Sequence, residues 1–347
     1  MKNHYAGFLA LAAAACFGAV APASKLLLEE LSPFQLAGIL YLGAAVGMLP
    51  SLWRDPSCYL LPQVDRRNCQ RLAGAVFCGG VLGPVFLLLG LQLASAASVA
   101  LWLPLEMLAT AILGHFLFRD QLGRLGWPAA GILFLASLLL SWGEGAAGFQ
   151  AGFWVAMACL CWGIDNNLTA LIDGLRPTQV TFWKGGVAGT INLSIGLILE
   201  PWQASGFTVI SALGIGIISY GVSLVLYIIA AQSLGATRSQ LLFSTSPYFG
   251  IGIATLLLGE KISFQQLISM GLVAASLGLL FQDQHDHEHE HLATEHEHWH
   301  HHGDGHHEHV HSEFLSSTYH RHRHQHSPLV HSHPHLPDLH HRHSHTS

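Results

Sequence analysis

The chain has 347 residues, 51% of them apolar and only 10% charged, against roughly 25% charged in a soluble globular protein. That composition excludes an ordinary soluble enzyme or a pair of soluble domains, and it points to a membrane protein. The net charge of −6 arises in residues 283–347, while residues 1–282 carry 12 Lys/Arg against 11 Asp/Glu. No nucleic-acid-binding surface is expected on that near-neutral body.

Apolar stretches near the roughly 20 residues needed to cross a bilayer recur along the chain. Ten are predicted, at about 5–28, 34–53, 71–93, 96–118, 125–143, 150–172, 178–199, 207–234, 239–258 and 263–281. The first runs on as a full span with only Lys2 ahead of it, which is unlike a cleaved signal peptide. Lys2, Arg54, Arg66, Arg67, Arg71, Arg119, Arg124, Arg176 and Arg238 fall on one side of this topology. Glu29, Glu30, Glu144, Glu200 and Glu260 fall on the other, with Lys25 and Lys261. The positive-inside rule then places both termini of a multi-pass protein in the cytoplasm. Six Cys at 16, 58, 69, 78, 159 and 161 lack C-x-x-C spacing and read as small buried hydrophobes.

The two halves echo each other. Cys16-Phe17-Gly18 matches Cys161-Trp162-Gly163, and Pro33/Gln35 matches Pro177/Gln179. Ala96-Ala97-Ser98-Val99 aligns with Ala236-Thr237-Arg238-Ser239, and Phe118-Arg119-Asp120 with Leu258-Gly259-Glu260. Each unit holds five spans, an odd number, so the second is expected to lie inverted relative to the first. The expected divisions are 1–143, 144–282 and a tail from 283 to 347.

Polar exceptions inside the spans carry the functional information. Glu106 falls near the middle of span 4, where a carboxylate costs about 2.5–3.5 kcal/mol on insertion scales and is a functional candidate by default. A buried interhelical hydrogen bond is the plainer alternative. Thr110 shares its face at i+4, and Pro104 frees a carbonyl one turn earlier. His115, nine residues on, belongs to a different face. A second cluster is Asp165-Asn166-Asn167 in span 6 with Lys184 in span 7. Both charges are predicted about 10 Å in from the same membrane face, at 1.5 Å per residue. A pair there either clamps two helices or serves a substrate directly. Lys25, near the end of span 1, is expected to snorkel to the interface.

Backbone breakers gather at Gly18/Pro22, at Gly79-Gly80-x-x-Gly83-Pro84 and at Ser246-Pro247. Such breaks are tolerated in membranes where neighbours re-satisfy the freed carbonyls or where they line a cavity. Gly43-x-x-x-Gly47 and Gly185-x-x-x-Gly189 permit close helix approach. No G-x-x-x-x-G-K-[ST] loop and no nucleophile–base set is visible, so neither an ATP-driven pump nor an enzyme is expected.

The ten spans, the repeat and Leu257-Leu258-Gly259-Glu260-Lys261-Ile262 resemble the EamA branch of the drug/metabolite transporter superfamily over residues 5–281. Leu103-Pro104-Leu105-Glu106 and Trp162-Gly163-Ile164-Asp165-Asn166-Asn167, followed by Lys184-Gly185, strengthen the likeness. So does Phe118-Arg119-Asp120, although Asp120 stands where the family more often has Glu. The resemblance implies an all-α permease of two inverted five-helix repeats that moves a small solute by alternating access. It also implies the bacterial inner membrane, and it leaves the cargo open.

After Asp283 the chain is written largely in histidine: 24 of its 26 His lie there. The tail is expected to be disordered, because sparse apolar residues cannot support a packed core. His287, His289 and His291, then His296, His298, His300, His301 and His302, then His320, His322 and His324 read as ligands for Zn, Ni, Co or Cu. Three readings follow. The first is a solute transporter, with efflux as its direction, with Glu106, Thr110, Pro104, Asp165, Asn166, Asn167, Lys184 and Pro247 lining or gating a cavity and tail metal as regulator. The second is a Ni/Co/Zn exporter, and the third a membrane-anchored metal buffer or sensor. No cofactor is required. The expected partners are the bilayer, a small solute, metal ions at the tail and, in one arrangement, a second copy of the chain.

Overall fold

In a computed structural model of the chain, the residues described are 2–53, 66–118, 125–172, 175, 177–234, 242–282, 288–291, 295–301, 319–325 and 329–332. Among the described residues, the elements before the tail are helices: α1 (Lys2–Gly18), α2 (Val20–Leu27), α3 (Pro33–Trp53), α4 (Arg66–Ala75), α5 (Gly83–Leu93), α6 (Ala96–Trp102) and α7 (Leu105–Phe118). Then come α8 (Gly126–Gly143), α9 (Gly145–Ala170), α10 (Pro177–Leu199), α11 (Gly206–Ile215), α12 (Ser223–Leu234), α13 (Ser246–Leu258) and α14 (Phe264–Gln282). Among the described residues, eight continuous helical stretches are long and apolar enough to cross a membrane. The ninth and tenth expected spans appear as the shorter apolar helices Ser246–Leu258 and Phe264–Leu280. The start of the ninth falls at residues outside the described set.

Each breaker has a local consequence. The first span changes at Ala19, three residues ahead of Pro22. Span 4 divides at Leu103-Pro104, where Glu106 N–H donates to the Leu103 carbonyl (2.9 Å) and Met107 N–H to that of Pro104 (3.1 Å). These tight turns replace bonds that a proline ring prevents. Pro247 stands in the first turn of α13, where a missing N–H is harmless.

The glycine run in span 3 does not interrupt the helix. It widens it into a π-helical segment, Val76–Leu82, continuous with α4 and α5. A second π segment, Gly216–Val222, joins α11 to α12. The two begin 140 residues apart, the offset that also separates Ala96 from Ala236 in the sequence. A π turn leaves backbone carbonyls turned aside, and such segments concentrate at functional places.

The helices α3 and α10 pack along their length, with Gly185 against the Tyr41 carbonyl and Gly189 against Leu42 N and Gly38 O. A side chain at either glycine would meet backbone there. Gly43 and Gly47 do the same against the second π segment. The main core gathers around fully buried Trp102, Leu88, Leu91 and Leu133, with the Trp102 indole N–H on the Ser137 carbonyl (3.2 Å).

The tail departs from the expectation of disorder in four stretches. The strand β1 (Glu288–His291) pairs antiparallel with β4 (Leu329–Ser332), and β2 (Glu295–His301) with β3 (Tyr319–Gln325). The register sets His296, His298 and His300 opposite His324, His322 and His320. Alternation of His with charged or aromatic residues has the period of a strand, and that is the feature a reading on apolar content alone passes over. His287 and His302 lie outside the described residues.

Candidate functional site

A cavity of about 480 Å³ lies between the helices, and among the described residues its charged lining residues are Glu106, Asp165 and Lys184. Three elements bring them together. The turn at Leu103-Pro104 starts α7 with Glu106 in its first turn. Late in α9, Asp165 is buried, and Lys184 reaches it from α10 with Nζ–Oδ2 at 2.6 Å. Thr169, one turn on, donates its hydroxyl to the other Asp165 oxygen (3.0 Å). Asn166 donates from Nδ2 both to Glu106 Oε1 (2.9 Å) and to Thr110 Oγ1 (3.1 Å).

The ion pair is neutral as a unit, so Glu106 leaves the cavity with one net negative charge when ionised. Removing two charges from water is costly, and close contact between them offsets much of that cost. Among the described residues, Glu106 takes a hydrogen bond from the Asn166 amide and stands in no ion pair. It can take up a proton or a cation.

Of the residues predicted to line the cavity, Pro104, Glu106, Asp165, Asn166, Lys184 and Pro247 do so. Thr110 and Asn167 do not appear in its lining. The Thr110 hydroxyl turns back to the Glu106 carbonyl (2.8 Å), and Asn167 donates to the carbonyls of Thr110 and Gly163. Thr110 is tied to α9 by the bond its hydroxyl accepts from Asn166 and by the one its carbonyl accepts from Asn167, so both residues fasten α7 to α9. His115 lies apart, edge-on to Trp127.

Aromatic side chains form much of the remaining wall, although none was named as a cavity residue from the sequence. Phe17, Tyr41, Trp162, Tyr220, Tyr227 and Phe243 all reach the cavity. Their rings touch in succession: Tyr41–Tyr220 at 5.6 Å, Tyr220–Phe17 at 6.2 Å, Phe17–Phe243 at 5.4 Å and Phe243–Tyr227 at 5.2 Å between centroids. The one available signal was the paired Cys-Phe-Gly and Cys-Trp-Gly triplets, which place Phe17 and Trp162 at matching positions.

Gly79 is the hinge-pin of the wall. Its carbonyl, exposed by the π segment, accepts from the Tyr41 hydroxyl (2.6 Å) and the Trp162 indole N–H (3.0 Å). Asn192 similarly donates to the carbonyls of Gly80 and Val81. A Cβ on Gly79 would collide with the Asp165 carboxylate, so only glycine leaves room for the ion pair.

The other end of α9 carries a second polar cluster, about 30 Å from Asp165 at 1.5 Å per residue. Gly259 closes α13 with φ +65°, a conformation that costs other residues more. Glu260 follows, and its two carboxylate oxygens accept from Ala96 N–H (2.8 Å) and Ala97 N–H (2.9 Å). They thereby satisfy free donors at the start of α6. Glu144 accepts from the hydroxyls of Ser95 and Ser98, to which Gln266 also donates. Lys25 does not snorkel outward as expected; it donates to the carbonyls of Leu91 and Ala94. These carbonyls lie at the end of α5, where unsatisfied acceptors attract a cation. Nearby, Glu30 accepts from Ser205 N–H (2.9 Å) and Thr208 Oγ1 (2.7 Å). First the Ser205 amide and then the Thr208 hydroxyl hold its carboxyl below the usual carboxylate range.

A helical membrane bundle with a charged internal cavity and a polar network at one end is the architecture of a membrane transporter. The chain belongs to the EamA-like transporter family, whose profile matches it twice, at residues 4–142 and 150–282. An uncharacterized transporter of Methanothermobacter thermautotrophicus is 24% identical over 287 residues, spanning 76% of this chain and 82% of that protein. An uncharacterized transporter of Synechocystis sp. is 24% identical over 309 residues, spanning 81% of this chain and 91% of its own length. A crystal structure of a protein 16% identical shares the fold, with a TM-score of 0.57 over 80% of this chain and 96% of its own.

Proposed function

We propose that the chain is a secondary transporter moving a small solute across the bacterial inner membrane by alternating access, outward from the cytoplasm. The observation that carries this reading is the cavity in which, among the described residues, Glu106 takes its hydrogen bond from an amide while Asp165 and Lys184 pair beside it. Matching π segments, and prolines at the starts of α7 and α13, support two inverted five-span repeats around that cavity. Ten spans follow if the two shorter apolar helices also cross. The polar cluster at the Glu144 end joins α2, α5, α6, α9 and α14. This is what a closed gate requires when the cavity is reached from the opposite face.

The tail, on this reading, binds Zn, Ni, Co or Cu as a regulator. Its alternating histidines and the His-opposite-His register support that role. Metal as cargo has less support: among the described residues, no three His, Cys, Asp or Glu side chains are grouped to hold an ion.

The test is flux in proteoliposomes across a panel of metabolites and metals, for the full chain, for Glu106→Gln and for a chain ending at residue 282. Coupled solute flux abolished by Glu106→Gln, with normal insertion, is the expected outcome. Undiminished flux in that variant refutes the role of Glu106. Metal flux that disappears with the tail favours an exporter, and no flux of any kind favours a membrane-anchored metal buffer.

A further inference from the structure

The ribbon formed by β2 and β3 has two faces of different chemistry. Alternate residues of a strand share a face, so His296, His298 and His300 lie on one side with His324, His322 and His320 in register opposite them. Three successive rungs are therefore His–His. The other side pairs Glu297 with Arg323 and Trp299 with Arg321, an opposite-charge pair and a cation–aromatic pair of the kind that favours one register. A slip of one residue either way would set His298 and one of its β2 neighbours opposite arginine. In the ribbon of β1 and β4 a single rung, His289 with His331, is of this kind, and His291 is registered with Leu329.

The spacing decides how many rungs one ion can use. Opposed Cα atoms stand about 5 Å apart across an antiparallel ladder, and same-face rungs follow one another at about 7 Å. The four Cα atoms of two adjacent rungs thus lie about 4 Å from their common centre. An imidazole ring with its metal–nitrogen bond spans about 6 Å from Cα to ion, enough to meet above that centre. For the two outer rungs taken together the centre lies about 7 Å away, out of reach. Among the described residues no three His, Cys, Asp or Glu are already grouped for an ion, so the ion has to draw two rungs together.

We propose that the six rung histidines form one transition-metal site with an obligatory centre. His298 and His322 bind in every case, and either His296 with His324 or His300 with His320 completes a set of four imidazoles. Four rings rising from one face to equal height bring their nitrogens near a single plane, with water on the open side. That is the tetragonal field of Cu(II) or Ni(II) and not the tetrahedral one of Zn(II). The site rests on the reading of the tail as a metal binder and specifies its residues, its single tight ion and its metal class.

The test is titration of the full chain, purified in detergent without an affinity tag, with Cu(II) and with Ni(II). Calorimetry reads affinity, and electron paramagnetic resonance reads the first equivalent of Cu(II), where an axial spectrum with four nitrogen couplings is expected. Replacing the centre rung, His298→Ala with His322→Ala, should weaken the tight site more than about a hundredfold, because no four rung imidazoles then reach one ion. Replacing either outer rung should weaken it only about twofold, one of two equivalent arrangements being lost. Replacing both outer rungs together should match loss of the centre. His291→Ala with His301→Ala takes two histidines from the strands but none from a rung and should change nothing, as should His289→Ala with His331→Ala. An outer rung as costly as the centre, a centre variant that binds normally, or a tetrahedrally distorted copper spectrum would each overturn the proposal. Tight binding that no rung variant alters would leave the tail a metal binder without this site. Absence of tight binding by the full chain would defeat both readings.

Discussion

The two ends of α9 carry similar side chains to opposite effect. At its start, Glu144 and Glu260 meet serine hydroxyls and backbone N–H groups, and Lys25 meets two carbonyls. Twenty residues further along, Asp165 has a lysine while Glu106, across the cavity, has a lone amide. Where every acidic group is answered by the fold, it acts as a fastener. Where one is left to an amide and open space, it is available to something that is not protein. The distinction lies in the partners and not in the residue type.

That contrast can be broken most forcefully at the ion pair. Lys184→Met leaves Asp165 buried without its cation and should cost about 3–5 kcal/mol, whereas Asp165→Asn with Lys184→Met should recover most of it. Thermal unfolding in detergent measures both. A single variant as stable as the double would show that the pair is not a unit. A smaller effect is expected at the other end: Glu260→Gln exchanges one of two acceptors for an amide donor and should cost about 1 kcal/mol, as for loss of a helix cap. Coupled flux should persist, and a loss rivalling that of Glu106→Gln would erase the contrast. The smallest effect belongs to exposed Glu30. Its folded-state pKa lies below its unfolded one, so its contribution is fully present above about pH 5 and fades as the pH falls through the lowered value. Unfolding midpoints against pH should decline less steeply on the acid side for Glu30→Gln, and parallel curves would refute that linkage.

Much of this arrangement was legible from the residues. Counting apolar runs located the helices, and counting depth from the ends of spans 6 and 7 put Asp165 beside Lys184. Charge in an apolar run is rare enough to be read singly. The aromatic wall was not legible, because Phe, Tyr and Trp are ordinary in membrane helices and only their convergence from several elements makes a surface. Thr110 and Asn167 share a helix face or a neighbourhood with cavity residues, yet each spends its donor on a backbone carbonyl. Periodicity assigns a face to a residue but does not say which neighbour claims it. Lys25 was misread for a related reason: its partners are carbonyls at a helix end, and sequence does not display those. The tail strands emerged from alternation among polar residues, where a search for apolar periodicity has no signal.

The carbonyl of Gly79 binds two side chains from two other helices at once. Spans 2, 3 and 6 are thereby riveted at a single backbone atom, next to the ion pair that joins span 6 to span 7. On the proposed alternating-access reading, sliding any of the three past another would break that joint, so the group is expected to travel as one block. The give for the cavity to change sides would then come from the seams around it, where helices meet through small residues and rings.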